Sequence, residues 1–335
     1  MKVPSEWEVG FYHCVSRVVD RRFIFQEAEK ELFVSLMREY EEFCEVHIVT
    51  FCVMSNHFHI LVEVPRPPEV KPNAEVILGK LRKLTGCQDP GLAEQELKAI
   101  RQRNDAGAEQ AWLERFYARM WDVSAFMKLL KQRFTQWYNG RNDRDGTLWT
   151  SRFKSVVVEG SGEALMAMAA YIELNPVRAG MVDDPKDYRW SGYGEAMAGQ
   201  PLARAALQRL VCAMVGREES WVSSLATYRM RVFNQGHEES ETVLAGGGTS
   251  RRALKHEAVL QVLNARGRLP VSDYVRCRVR YFCDGAVFGS RELVEQMFIA
   301  YRKWFGPKRT SGARRLRGLR EELFTLRDLQ RNVFG

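Results

Sequence analysis

Two apolar runs, His47–Met54 and His57–Val64, are separated only by Ser55-Asn56. Runs this rich in Val, Ile and Phe with a two-residue polar link read as a β-hairpin. So short a link joins antiparallel strands and leaves no length for a crossover. Pro65, Pro67, Pro68 and Pro72 end the second arm, because proline has no N–H to give a ladder. In a strand, residues i and i+2 share a face. His57 and His59 therefore project together while Phe58 faces the other side. Two imidazoles side by side suit a divalent metal ion. A pair of ordinary sheet histidines satisfies the same pattern, so the tripeptide alone leaves both readings open.

The flanking sequence supplies the rest of a sheet. Residues 8–18 are aromatic and β-branched and predict a first strand. Phe33, Leu36, Met37, Tyr40 and Phe43 recur at helical spacing and predict a helix over 26–45. A helix over about 122–138, a strand over 147–158 and a helix over 161–175 follow. Asn175-Pro176 disfavours continuing the last helix. The order is β-α-β-β-α-β-α, an α+β fold with an antiparallel sheet and flanking helices. Residues 69–118 interrupt it as an inserted lobe with helical stretches over 76–84 and 93–103. Its basic and acidic residues balance, eight against eight, so the lobe adds nothing to the chain's positive charge.

Beyond this core, residues 184–200 read as a linker. Residues 236–251 are Gly-, Ser- and Glu-rich and read as a flexible one. Residues 252–305 predict a helix, a possible hairpin over 274–290 and another helix, so the C-terminal region is expected to be mostly helical. The division expected is 1–195 as the core domain with its lobe at 69–118, 196–251 as a linker or helical region, and 252–335 as a C-terminal region.

Composition excludes several classes. At 335 residues, with 45% hydrophobic and 27% charged, the chain has the composition of a folded protein and not of a disordered one. No run is long and apolar enough for a membrane helix, and MKVPSEWEVG has no hydrophobic leader segment. The seven cysteines are scattered with no CxxC, which argues against a disulfide scaffold and fits a reducing cytoplasm. A net charge of +8 permits a nucleic-acid partner.

Two further groups of residues could carry chemistry. Tyr171 and Asn175 lie at i and i+4 on one helix and share a face. The phenol is a possible nucleophile, and the amide oxygen an acceptable ligand for a hard cation. Equally, Tyr171 could be a core tyrosine and Asn175 a helix-end residue before proline. Between 124 and 155 stand seven basic and two acidic residues, interleaved with Trp137, Tyr138 and Trp149. Charge that tracks phosphates beside rings that stack on bases is the pattern for single-strand binding. A solvated helix face with a buried tryptophan has the same composition.

Taken in order, FYHCVSRVVDRRFIF, FCVMSNHFHILVEVP, LWTSRFKSVVVE, AAYIELNPVRAGMV and DYRWSGYGEA resemble the REP-associated tyrosine transposases. These are relatives of the single-tyrosine transposases of the insertion-sequence HUH group. The resemblance covers roughly residues 8–195 apart from the lobe, with Val18 standing where the family commonly has glycine. It implies a ferredoxin-like HUH nuclease core. It also implies His57, His59 and Asn175 as ligands of Mg²⁺ or Mn²⁺, and Tyr171 as nucleophile. The implied activity is metal-dependent cleavage and strand transfer of hairpin-forming single-stranded DNA through a 5′-phosphotyrosine. Its partner would be palindromic single-stranded DNA, the protein being a monomer or homodimer.

His13 and Arg17 fall on the family's first-strand motif. With Lys128, Lys131, Arg133, Trp149, Arg152 and Lys154 they are the expected DNA-binding set. Two other readings share these residues. One is a host-adopted hairpin-binding protein with little or no cleavage. The other is a phosphohydrolase that uses water in place of Tyr171. Lys308, Arg309, Arg314, Arg315, Arg317 and Arg320 crowd the basic tail and are a possible accessory DNA contact.

Overall fold

The structure is a computed structural model and describes residues 1–4, 7–86, 90–233, 280–316 and 322–327. Strand β1 (Val9–Arg17) leads through a 3₁₀ turn to helix α1 (Glu27–Phe43). The hairpin follows as β2 (His47–Val53) and β3 (His57–Pro65). The lobe holds α2 (Ala74–Lys83), α3 (Pro90–Gln102) and α4 (Ala106–Tyr117). Helix α5 (Val123–Arg141) returns to β4 (Lys154–Val158). Then come α6 (Gly162–Glu173), the short α7 (Asn175–Arg178), α8 (Gly192–Met197), α9 (Pro201–Val215) and α10 (Trp221–Val232). The last described stretch holds α11 (Arg280–Cys283), β5 (Val287–Gly289), α12 (Arg291–Ala300), β6 (Ala313–Arg315) and β7 (Phe324–Leu326).

The fold is α+β. Among the described residues the strands form one seven-stranded sheet in the order β2-β3-β1-β4-β5-β7-β6. Every pairing is antiparallel except β4 with β5. The register sets Val15 opposite His59 and Arg17 opposite His57. Alternation then sorts the two faces. Tyr12, Cys14, Phe58, Ile60 and Val62 pack into one core with α1 and α5. Leu61, Val156 and Val158 pack into a second with α6, α9 and α10. The histidine pair belongs to the second face. Helix α6 is buried on nearly every side, as a helix held between a sheet and further helices must be.

Three expectations are corrected. The stretch 184–200 is not a linker. It contains α8, capped by Ser191 Oγ accepting from Gly194 N at 3.0 Å. Its glycines hide the helix from a propensity reading, yet a Cβ on Gly192 would stand 2.4 Å from Thr50 Oγ1 on β2. The strand expected over 147–158 is regular only from Lys154. Trp149 makes a lone bridge to Val18 and turns its ring into the Phe25–Phe134 cluster instead. The hairpin expected over 274–290 is, over its described residues, a helical turn followed by β5, which pairs with β4 rather than with its own neighbour. The linker expected at 236–251 lies outside the described residues. Residues 313–315 and 324–326 extend the sheet where mainly helix was expected.

Glu173 is a buried carboxyl on α6, two residues beyond Tyr171. Oε1 accepts from Thr50 Oγ1 and from Tyr193 N, the latter at 2.8 Å. Burial raises its pKa to about 7 against those hydrogen bonds. The folded chain thus holds this proton more tightly than the unfolded chain does. The stability it contributes is complete below the ordinary carboxyl range and is lost as pH rises through about 7. The neighbouring histidines slope oppositely, losing stability as pH falls below their ordinary value, because burial lowers His13 and His57 to about 4. Comparing variants isolates the carboxyl. Relative to wild type, Glu173→Gln should gain about 3 kcal/mol between pH 5 and pH 8, at about 1.4 kcal/mol per pKa unit. Urea midpoints at both pH values measure it, and parallel pH curves would refute the assignment.

Candidate active site

Three histidines gather on the face of the sheet that α6 covers. His57 and His59 come from β3 and His13 from β1. The rings of His57 and His59 lie 5.1 Å apart edge to face, and those of His13 and His59 5.2 Å apart and stacked. His13 Nε2 is 2.9 Å from His59 Nδ1, and His13 Nδ1 is 2.9 Å from the carbonyl of Phe282. His57 Nδ1 is 2.7 Å from Asn56 Oδ1. His13 and His59 are buried, while His57 is partly open. Burial lowers all three pKa values, and for His59 the charges of His57, His13, Arg17 and Arg178 add to it. At neutral pH the pair is uncharged, the form in which imidazole offers a lone pair.

Helix α6 brings Tyr171 to this group. Its ring meets His59 edge-on at 5.7 Å and His13 at 6.0 Å. The other side of the ring stacks on Phe282 at 4.3 Å, 7° from parallel. The hydroxyl lies 3.0 Å from Cys283 Sγ. Burial pushes the phenol above its ordinary value, and the Arg178 guanidinium, 5.0 Å from the ring centroid, works in the opposite sense. Cys283 is itself raised to about 11 by burial and is a thiol, not a thiolate. Asn175 stands one turn on, at the break between α6 and α7. Its amide nitrogen donates to the carbonyls of Tyr171 at 3.0 Å and Ile172 at 3.2 Å.

Among the described residues, His13, His59 and Cys283 form a group whose ligand atoms all lie within 4.8 Å of one another. Sequence reasoning placed Phe282 and Cys283 in a possible hairpin but not in the site, since neither residue belongs to a motif. Only the fold brings them beside Tyr171.

The expected DNA-binding residues separate into two sets. Arg17, Lys128, Arg152 and Lys154 are exposed, Lys154 within 3.3 Å of Asp284. The others are engaged by groups of the protein itself. His13 is fully buried with both ring nitrogens engaged inside the protein, so it is not a surface contact. Lys131 is buried, donates to Ser151 O at 3.0 Å and lies over the Trp149 ring. Burial lowers its pKa to about 8. Trp149 is 7% exposed and donates to Thr135 Oγ1 at 2.8 Å. Arg133 donates to Thr85 O at 3.0 Å. Lys131 and Trp149 tie α5 to the loop before β4, Arg133 ties α5 to the lobe, and His13 links β1 to His59 and α11.

Sequence reasoning passed over Phe23. It is 70% exposed and follows exposed Arg21 and Arg22 on the loop after β1. That loop is strained, with Asp20 and Arg21 both at φ 54°. Asn56 ties it to the histidines, donating to Arg21 O at 3.1 Å. In the tail, Arg314 and Arg315 are exposed on β6, whereas Arg309 donates to its own segment at Ser311 O and Gly312 O. Arg317 and Arg320 lie outside the described residues.

The first of these elements are similar to those of a known family. Residues 8–81 match the family model for IS200-like transposases. That stretch carries β1, α1, the hairpin and both strand histidines, so the resemblance drawn from the motifs recurs there. A similar solved structure is that of a REP-associated tyrosine transposase bound to a REP hairpin. It is 14% identical, with 58% of this chain and 84% of that one covered and a TM-score of 0.37. A search of curated proteins found no match. Among the described residues no helix is long and apolar enough to cross a membrane.

Proposed function

We propose that the protein is a metal-dependent endonuclease and strand transferase of hairpin-forming single-stranded DNA, working through a 5′-phosphotyrosine on Tyr171. The observation that carries this is the edge-on approach of the Tyr171 ring to His59 at 5.7 Å, beside a second neutral imidazole. Two uncharged ring nitrogens from His57 and His59, with the amide oxygen of Asn175, make a donor set that fits Mg²⁺ or Mn²⁺ and leaves positions for phosphate oxygens. Bound there, such an ion supplies Lewis-acid polarisation of the scissile phosphate.

The chain's own residues do the rest. Tyr171 Oη forms the new bond to phosphorus as the P–O3′ bond breaks. The phenol proton leaves, and the departing 3′ oxygen ends as a hydroxyl. The DNA 5′ phosphate stays on the tyrosine, so a second 3′ hydroxyl can reverse the step. Arg178, close to the Tyr171 ring, favours the developing phenolate. The decisive experiment is trapping a covalent protein–oligonucleotide product with Mn²⁺ and a hairpin substrate, then mapping the modified residue. A product on any residue other than Tyr171 refutes the reading.

One observation favours the hairpin-binding alternative with little turnover. Tyr171 is fully buried and its hydroxyl is occupied by Cys283. In this state a phosphate cannot reach it, so cleavage requires Phe282 and Cys283 to move aside. Hairpin binding without adduct under all metal conditions would establish the alternative.

The exposed residues divide the labour of DNA contact. Arg17, Lys128, Arg152 and Lys154 track phosphates, and Phe23 presents a bare ring for an unpaired base. Phe23→Ala should weaken binding to a hairpin with an unpaired 5′ extension by about 1–3 kcal/mol and leave the salt dependence unchanged. Arg152→Ala should lower the log–log salt slope by about one. Salt titrations of both variants test this. A slope change in the phenylalanine variant, or none in the arginine variant, would reverse the roles.

A further inference from the structure

We propose that His13 and Asn56 are positioning residues that fix the proton positions on His59 and His57, so that both strand histidines present an unprotonated Nε2 to a divalent cation. This rests on reading the histidine pair as a metal site, and it concerns which nitrogen of each ring does the ligating.

The chain of hydrogen bonds leaves one solution. Phe282 contributes a backbone carbonyl, which can only accept, and it lies 2.9 Å from His13 Nδ1. His13 therefore carries its proton on Nδ1. It is fully buried, and no carboxylate is among its hydrogen-bond partners, so the ring is neutral and holds one proton. Its Nε2 is then a lone pair. That lone pair lies 2.9 Å from His59 Nδ1, so His59 Nδ1 must donate. A neutral His59 protonated on Nδ1 has its lone pair on Nε2.

A second, independent relay sets His57. Asn56 Nδ2 donates to the Arg21 carbonyl at 3.1 Å. This orients the amide, and its Oδ1 faces His57 Nδ1 at 2.7 Å. An amide oxygen can only accept, so His57 also carries its proton on Nδ1 and leaves Nε2 free. Each relay ends on a main-chain carbonyl, one on the loop after β1 and one on α11. A carbonyl cannot change its protonation, so neither relay can reverse. Outer partners of this kind fix ring orientation and tautomer in metal sites, and losing one typically lowers metal affinity 10–100-fold.

The arrangement also decides between two cation sites. A metal held by His13, His59 and Cys283 would need the lone pair of His13 Nε2, which the relay already commits to His59 Nδ1–H. It would have to break the His13–His59 hydrogen bond and deprotonate a thiol raised to about 11. The geometry thus assigns His13 to orientation and not to ligation.

The test uses the full chain without metal. Long-range ¹H–¹⁵N spectra of the histidine rings should show His13, His57 and His59 all protonated on Nδ1. Mn²⁺ titration by electron paramagnetic resonance then reads affinity without reference to cleavage. In His13→Leu, the His59 proton is free to move to Nε2, and Mn²⁺ affinity should fall roughly 10–100-fold. In His13→Gln, the side-chain carbonyl can again accept from His59 Nδ1, and affinity should recover. Wild-type His59 protonated on Nε2 overturns the inference, and so does a folded His13→Leu that binds Mn²⁺ like wild type. Loss of Mn²⁺ binding in Cys283→Ser overturns it too, by moving the cation to the thiol side. The wild-type spectrum decides even if both His13 variants fail to fold. Mn²⁺ binding that depends on His13 without DNA cleavage would sink the proposed function and leave this inference standing.

Discussion

Tyr171→Phe is expected to eliminate the covalent protein–DNA product while leaving hairpin binding unchanged. The substitution removes one oxygen and keeps the ring. The stack on Phe282 at 4.3 Å and the edge contacts to His59 and His13 all survive. What is lost are the hydroxyl's hydrogen bonds with Cys283 Sγ and the Arg178 side chain, each worth about 1 kcal/mol, and the ring itself stays packed on its apolar neighbours. The variant should therefore fold, and without its oxygen it has no nucleophile at this position. The same substitution separates the reading from a water-using phosphohydrolase on the same histidines. That enzyme would keep cleaving with Phe at 171 and would stop with Ala at 57. Denaturing gels of metal-activated reactions on a labelled hairpin, run beside a binding titration, measure both. Strand cleavage surviving in Tyr171→Phe would transfer the chemistry to water.

Legibility in the sequence follows the range of the interactions concerned. The hairpin was readable because its signal is local. Two apolar runs with a two-residue link mark the hairpin, and the i, i+2 geometry of a strand sets the shared face of His57 and His59, whereas the register shift between Ile48 and Thr50 shows only in the structure. The pairing of Tyr171 with Asn175 was readable because helical spacing is also local. The role of His13 was not. It sits in an ordinary strand pattern, and only its pairing with β3 and the arrival of Phe282, far along the chain, reveal that both its nitrogens are taken. The same holds for Trp149 and Lys131. A basic-aromatic stretch looks alike whether it faces DNA or packs inward, and burial settles it. The last two strands were missed for another reason. β6 and β7 are three residues each, too short for any period to show, and they are strands because a sheet edge was there to pair with.

Phe58→Ala is expected to have the largest effect on stability of any single change to the hairpin. Phe58, between the two histidines in sequence but on the opposite face, is fully buried with Phe33 at 4.6 Å and Trp149 at 5.6 Å. Those rings join Phe25 and Phe134 in one aromatic cluster that clamps α1 and α5 to the sheet. Truncating a buried phenylalanine costs about 3–5 kcal/mol, a large part of the roughly 5–15 kcal/mol that holds a domain together. A fall in Tm on the order of 10 °C should follow. Metal binding should respond differently. The backbone ladders of β3 to β1 and β2 do not pass through the side chain. While the variant remains folded, alternation still places His57 and His59 on the far face with their relays intact. Mn²⁺ affinity measured well below the new Tm should therefore stay close to wild type, whereas His13→Leu loses affinity. An unchanged Tm in Phe58→Ala would mean that the aromatic cluster is not what anchors the strand. Affinity lost at a temperature where circular dichroism still reports the native fold would mean that the two faces are coupled through the strand.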